Sequence, residues 1–227
     1  TDGRVVVATE GCLMARVRLR GRSAHAARRW RGESVWPRFE RVRARLEALC
    51  DERAERVTHP LYERFDDPWP VTCGRAEVGT WASNVPDSLV SEWRFGVAPG
   101  ESLADVEAEC RAALAAVAEA TDDDWLRAHP PSFERFGVQF DSAEIDADEP
   151  VVETLAAVVD GRGGDPTPTG ETYGADSRHY VAAGVPTVVY GPGRIEEAHF
   201  PDETLVWSEL LDAGGVLAET AVRFLAA

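Results

Sequence analysis

The spacing of apolar and polar side chains predicts a strand and a helix near the start of the chain. Over residues 12–20 one face is rich in arginine, and the other is formed by Leu13, Ala15, Val17 and Leu19. This period of two is typical of a half-buried strand. Apolar side chains then recur every three or four positions over residues 33–56, which predicts an amphipathic helix.

The next segments repeat this alternation of strand and helix. Residues 75–82 and 89–97 favour strands, joined by the turn-forming sequence Asn84-Val85-Pro86-Asp87. Ser102, with Asp105 three positions later, is typical of a capping box that begins a helix.

One more strand completes a recognisable order of elements. Phe136, Val138 and Phe140 alternate with polar or small residues and predict this strand. The order strand, helix, strand, strand, helix, strand is that of a ferredoxin-like βαββαβ unit. We expect this unit over residues 12–140, as a compact α+β domain.

The remaining segments have the pattern of an open α/β sheet. Its expected elements are a strand at residues 5–7, a helix at 151–159 capped by Asp148, a buried parallel strand at 185–190 and a helix at 210–225 after Ser208. We therefore expect residues 1–11 and 141–227 to form part of one α/β domain.

Charge and composition exclude several classes of protein. Forty acidic residues against 24 basic ones, all of them arginine, give a net charge of -16. This balance argues against binding to nucleic acid or to an anionic membrane. No apolar run approaches the roughly 20 residues that a membrane-spanning helix needs. We expect neither a nucleic-acid partner nor a membrane partner.

The cysteines indicate a reducing compartment. Cys12, Cys50, Cys73 and Cys110 form no Cys-x-x-Cys pair, so a structural zinc site built from them is not expected. Buried free thiols are the simplest interpretation, and they predict a cytoplasmic protein. The sequence starts without Met or a signal sequence, and we expect that it begins partway through a folded domain.

Four short motifs carry candidate chemistry. Each also has a simple structural explanation, because turns and helix caps use the same residue types. Two of them follow predicted strands, where ligand sites commonly lie. The motifs are Gly21-Arg22-Ser23-Ala24-His25-Ala26, Ser83-Asn84-Val85-Pro86-Asp87, Tyr173-Gly174-Ala175-Asp176-Ser177-Arg178 and Gly191-Pro192-Gly193 followed by Ala198-His199-Phe200-Pro201-Asp202-Glu203.

The order and spacing of these motifs resemble the zinc aminoacylase/carboxypeptidase superfamily over nearly the whole chain. Its members include acetylornithine deacetylase and succinyl-diaminopimelate desuccinylase. The resemblance implies a ferredoxin-like dimerisation (lid) domain, followed by the C-terminal part of an open α/β zinc-hydrolase domain. It also implies hydrolysis of an amide bond in N-acyl amino acids or small peptides by a homodimer.

The resemblance further assigns a role to each candidate residue. His25 matches the lid histidine that stabilises the oxyanion in the partner's active site, and His199 matches a metal ligand. Asn84, Gly174 and Arg178 match substrate-binding positions, with Arg178 near the substrate carboxylate. The cofactor implied is zinc, two ions per full-length subunit, with cobalt or manganese as substitutes.

Several features leave alternatives open. The chain contains no His-x-Asp motif, which supplies other metal ligands in the family. We therefore expect this chain to be the C-terminal half of the enzyme, inactive alone and unable to complete the metal site. One alternative is a non-catalytic dimerisation or binding module without a metal site. Another, less favoured, is a mononuclear enzyme built from His25, His199 and nearby acids.

Overall fold

The structure is a computed structural model that describes residues 1–120 and 122–226. Seven strands and six α-helices are found in this part of the chain. The strands are β1 (Val5–Thr9), β2 (Gly11–Arg20), β3 (Val71–Val78), β4 (Ser88–Val97), β5 (Ser132–Arg135), β6 (Ala143–Glu144) and β7 (Pro168–Glu171). The helices are α1 (Trp36–Arg56), α2 (Leu103–Glu119), α3 (Asp124–Ala128), α4 (Pro150–Gly161), α5 (Ser177–Ala182) and α6 (Trp207–Ala226).

These elements form two compact units. We call them the four-stranded unit and the three-stranded unit, after the sheet that each contains. The four-stranded unit consists of Gly11–Thr58 and Phe65–Asp141, and the three-stranded unit of Thr1–Glu10, His59–Arg64 and the segment from Ser142 onward.

The four-stranded unit has the predicted ferredoxin-like order. Its sheet runs β3-β4-β2-β5 with antiparallel neighbours, and α1 and α2 contact each other and the sheet. The apolar face of β2 is fully buried, as its alternation predicts, against Leu46, Trp93 and Leu114 among others. Ser102 and Asp105 form the predicted capping box at the start of α2. The predicted fold class is therefore confirmed.

Two strands of this unit lie earlier in the chain than predicted. β3 ends at Val78 instead of residue 82, because Gly79 adopts a φ of +60° that turns the chain. The strand predicted at 136–140 was wrong, and β5 spans Ser132–Arg135 instead. Gly137, with a φ of +64°, interrupts the alternating run. Phe136 N–H still donates to the Met14 carbonyl at 3.0 Å, and Phe140 forms an isolated bridge with Cys12 of β2.

The three-stranded unit has β1 at its centre. β1 is parallel to β7 and antiparallel to β6. The apolar core joins Val5 and Val7 of β1 to Val152, Leu155 and Val216 from α4 and α6. The predicted strand at residues 5–7 and the two predicted helices are thus present, and α6 begins one residue before Ser208.

Two predictions in this unit were wrong. Glu149, not Asp148, is the N-cap of α4, and it makes no side-chain cap hydrogen bond. Pro150 opens that helix and has no N–H to be capped. The run 185–190 is not a buried strand: only Val189 pairs with β1, through two hydrogen bonds with Val6 of 3.1 and 2.9 Å. Pro186 has no N–H to extend the pairing.

The state of the cysteines and the character of the helices were also predicted from the sequence. All four cysteines are free thiols; Cys12, Cys50 and Cys110 are buried, and Cys73 is half-buried. Burial raises the pKa of the Cys110 thiol to about 12. None of the helices in the described part of the chain has both the length and the apolar character that a membrane span needs.

Candidate functional site

A tightly held loop between β2 and α1 carries His25. Its two ends meet where Arg22 and Glu33 exchange backbone hydrogen bonds of 3.0 and 2.8 Å. Gly21 is required at this junction, because a Cβ there would lie 2.0 Å from the Glu33 carbonyl oxygen. The loop is therefore closed at its base, and His25 lies at its exposed end.

The His25 loop is also bound to the turn that contains Asn84. Ala26 N–H donates to the Ser83 carbonyl, and Val85 N–H donates to the Ala24 carbonyl, both at 2.8 Å. His25 and Asn84 therefore face each other as a backbone bridge, and both side chains are exposed. The structure thus brings together the two site residues that were predicted in this unit.

One hydrogen bond fixes the tautomer of His25. The Ala27 N–H donates to His25 Nδ1 at 3.1 Å. In the neutral imidazole the proton must then be on Nε2, which makes Nε2 a hydrogen-bond donor. An exposed N–H donor on a rigid backbone is suited to binding an oxyanion.

A buried arginine supports the base of the His25 loop. Arg38 donates to Glu33 Oε2 at 2.8 Å and to both carboxylate oxygens of Asp123, at 2.6 and 2.9 Å. The Arg38 hydrogen bond holds the pKa of Asp123 below its usual value. We call Arg38, Glu33 and Asp123 the loop clamp. This clamp was not predictable from the sequence, because Asp123 is distant from Arg38 along the chain.

Gly174 and Arg178 lie at the turn between β7 and α5. Arg178 Nη1 donates to the Ala175 carbonyl at 2.9 Å and to the Asp176 carboxylate at 3.2 Å. The Arg178 side chain is only 12% exposed, whereas the Asp176 side chain is 87% exposed. The guanidinium is therefore held against the turn that contains Gly174.

His199 lies on a separate loop of the three-stranded unit, with an unusual backbone. Its φ is +67°, a conformation that residues other than glycine seldom adopt. Its N–H donates to Glu203 Oε2 at 3.3 Å, and its side chain is exposed. The neighbouring Ala198, Glu203 and Tyr173 line one cavity of about 750 Å³. This cavity joins the loop of His199 to the turn that begins at Tyr173.

The side chains of these residues determine whether the predicted zinc could bind here. A catalytic zinc typically has about three protein ligands. Within the described residues, no group of three or more His, Cys, Asp or Glu side chains is arranged to hold a metal ion. His199 and its surroundings in this chain therefore do not fit a zinc site by themselves. The mononuclear alternative built on His25 and His199 has no ligand cluster to support it.

Two buried carboxylates at the strand ends were missed by sequence analysis. Glu10 directly follows β1, and Glu171 is the last residue of β7, which is parallel to β1. Both residues are buried. Glu171 pairs with Arg64 at 2.5 Å and with Arg4 at 3.5 Å. Tyr62 donates its hydroxyl to the Glu171 carbonyl at 3.3 Å, and burial raises the Tyr62 pKa. The position of Glu10 directly after an apolar strand was the one feature of the sequence that could have identified it as a candidate site residue.

Comparison with known proteins gives a family match and two relatives. The model of peptidase family M20/M25/M40 matches residues 31–223. A deformylase of N-formyl-4-amino-5-aminomethyl-2-methylpyrimidine from Halalkalibacterium halodurans is 33% identical over 50% of this chain and 28% of its own length. A protein named "Probable carboxypeptidase" from Emericella nidulans is 27% identical over 94% of this chain and 47% of its own length. The matches thus span less than two thirds of either relative.

The fold has a counterpart among solved structures. The dipeptidase Dug1p from Saccharomyces cerevisiae matches all of this chain and 57% of its own, with a TM-score of 0.77 and 12% identity. At that identity the likeness concerns the fold. It agrees with the family match, which covers most of both units.

Proposed function

Because the chain belongs to peptidase family M20/M25/M40, we propose that it serves an enzyme that hydrolyses amide bonds in N-acyl amino acids or small peptides. The names of the two relatives, a deformylase and a carboxypeptidase, support amide hydrolysis. The observation that carries the proposal is the exposed His25 imidazole, with its Nε2 proton fixed by the Ala27 N–H.

His25 supplies the oxyanion donor in this proposal. Attack on an amide carbonyl places negative charge on the oxygen, and a donor fixed in advance stabilises it without reorganisation. Removal of one such donor commonly raises the barrier by about 2.7–4 kcal/mol. The bridge to Asn84 holds a second polar side chain beside His25, where it contacts the substrate.

Arg178 and Gly174 orient the substrate in this proposal. The Arg178 guanidinium is held against the turn by Ala175 and Asp176, so little side-chain freedom is lost when a carboxylate binds. The backbone at Gly174 has no side chain to obstruct the approach of the substrate. Such contacts align the amide for attack and do not break bonds themselves.

We propose that the 227-residue chain is inactive alone and that further polypeptide completes the active site. The absence of a three-ligand cluster in the described residues supports this, with His199 as one metal ligand of a larger set. An exposed apolar face on α6 gives independent support, because such surfaces are normally covered by protein. Its most exposed members are Trp207, Leu211, Val222 and Leu225. We also propose a cytoplasmic homodimer that associates through the four-stranded unit.

A non-catalytic binding module is the second candidate. The missing ligand cluster in the described residues favours it. Such a module would use His25 and Asn84 for binding and would hydrolyse nothing.

Assays of the complete gene product distinguish the two candidates. Purified protein is incubated with N-acetyl amino acids and dipeptides, before and after treatment with a chelator, and the free amine is quantified. The enzyme candidate predicts hydrolysis that chelation abolishes and that added zinc restores. The 227-residue chain, assayed in parallel, is expected to release no amine. Absence of hydrolysis by the complete protein with zinc would leave the binding module as the function.

A further inference from the structure

The His25 loop lies in the most basic segment of an acidic chain. Residues 11–32 contain seven arginines and no acidic residue, although the whole chain has a net charge of -16. Three arginines of β2 face the sheet surface. Arg16 pairs with Glu92 at 2.9 Å and Arg18 pairs with Glu134 at 3.3 Å, whereas Arg20, at the exposed end of the strand, forms no ion pair with a described residue. Ion pairs therefore explain the charges of Arg16 and Arg18.

The three arginines that follow His25 in the loop are not neutralised by ion pairs within the described part of the chain. Among residues 1–120 and 122–226, no carboxylate forms an ion pair with Arg28, Arg29 or Arg31, and all three are exposed. Arg28 lies 5.5 Å from the centre of the Trp30 ring. Three adjacent cations without an acidic partner create a local positive potential that attracts anions.

A cavity of about 590 Å³ opens beside these arginines. Arg29 is the one charged side chain among its lining residues, and Trp30, Ser34 and Asn84 also line it. Trp30 is 68% exposed, so part of its flat apolar ring faces the solvent. Since Asn84 pairs with His25, the cavity adjoins the oxyanion donor of the proposed function.

We propose that Arg29 and Trp30 form a subsite for a carboxylate carried by the acyl group or side chain of the amide substrate. This proposal rests on the proposed function and deepens it by naming a substrate class. The guanidinium offers two parallel N–H donors that match a carboxylate. The Trp30 ring gives the adjoining carbon chain or ring an apolar surface against which to pack. In an acidic protein, a local positive potential favours the approach of an anionic substrate.

Selectivity of the complete enzyme is the first test. The substrates are an N-succinyl amino acid and its neutral succinamoyl analogue, which differ only in the distal carboxylate. The enzymes are wild type, Arg29→Gln and the control Arg43→Gln. Arg43 is an exposed arginine on α1 of the same unit and is not part of the cavity lining. Both variants change the net charge equally.

The proposal predicts that Arg29→Gln lowers kcat/KM for the succinyl substrate by about 10- to 100-fold, the loss expected for one charge-assisted pair. The succinamoyl substrate should lose less than about 3-fold, and Arg43→Gln should leave both within about 2-fold. Equal losses on both substrates, or no wild-type preference for the carboxylate, would overturn the proposal. The proposal would also be overturned if Arg29→Gln changed the oligomeric state and left the substrate selectivity unchanged, because the loop would then bind an acidic surface of a second copy of this chain.

A binding measurement separates this proposal from the proposed hydrolysis. Phthalate, an aromatic dicarboxylate, is titrated into the 227-residue chain while NMR follows the Trp30 indole and Arg29 Nε signals. Saturable shifts that disappear in Arg29→Gln support the subsite even if no amide is cleaved. No response of the wild-type signals would refute the subsite even if the complete enzyme hydrolyses amides.

Discussion

Replacement of Arg38 by methionine tests whether the loop clamp holds the His25 loop in place. The change keeps an unbranched apolar stem and removes the guanidinium. It thereby deletes the hydrogen bonds to Glu33 and Asp123, of 2.6 to 2.9 Å, and a bond of 3.1 Å to the Ser34 carbonyl. The Arg38 side chain is 7% exposed, so water cannot simply replace these bonds.

The structure sets the magnitude of the expected loss. Removal of one partner from a buried ion pair commonly costs about 3–5 kcal/mol. The carboxylates are partly exposed, at 18% for Asp123 and 30% for Glu33, so water solvates them after the change. Asp123 still accepts the helix-capping hydrogen bond from Leu126 N–H, and Glu33 still accepts a hydrogen bond from Arg22. We therefore expect a loss near the lower limit, about 3 kcal/mol in the free energy of unfolding.

Urea unfolding and hydrogen exchange measure the two expected effects. Arg38→Met should lower the free energy of unfolding and should speed amide exchange at Ala26 and Val85, whose N–H groups join the His25 loop to the turn. Arg43→Met is the matched control. Arg43 pairs with Glu47, but these side chains are 48% and 50% exposed, and loss of such a pair should cost less than about 1 kcal/mol.

The pH dependence provides the check that could refute the clamp. The Arg38 hydrogen bond lowers the Asp123 pKa in the folded state, so its stabilisation is present above the unfolded carboxyl pKa. That stabilisation is lost as the pH falls through the folded pKa. The stability gap between wild type and Arg38→Met should therefore narrow from pH 7 to pH 3. A gap independent of pH, or a loss no larger than that of Arg43→Met, would contradict the clamp.

Three further outcomes follow from single positions. Gly21→Ala should disrupt the His25 loop and accelerate its amide exchange, whereas Gly74→Ala, with no heavy atom within 4 Å of the added Cβ, should leave exchange unchanged. Ser102→Ala removes the capping box of α2 and should cost about 1 kcal/mol in urea unfolding. Cys110, buried and with a pKa of about 12, should resist alkylation at pH 8 while half-buried Cys73 reacts first, as peptide mass spectrometry would show.

The sequence predicted elements well where their own side chains determine the structure. β2 and the start of α2 are examples, because alternation and a capping box act over a few residues. Elements that depend on distant partners were predicted less well. The run 185–190 is as apolar as a buried strand, yet it forms only one bridge, to Val6. The position of β5 depends on its pairing with β2 and on the turn at Gly137.

The candidate site shows the same division. The family resemblance placed His25 and Asn84 in the same lid domain, and the structure pairs their backbones. The tautomer of His25 was not predictable, since it depends on one N–H in a folded loop. Nor was the loop clamp, whose members Arg38 and Asp123 are separated by 85 positions. The catalytic role of His25 stays a prediction.

The turnover number of a His25→Ala variant of the complete gene product, measured on an N-acyl amino acid that the wild type cleaves, tests this role most directly. His179→Ala is the control, because His179 is an exposed histidine on α5. We expect His25→Ala to lower kcat by about 10²- to 10³-fold with KM changed much less, and His179→Ala to leave kcat unchanged. A His25→Ala enzyme with wild-type kcat would contradict the assignment of His25 as the oxyanion donor.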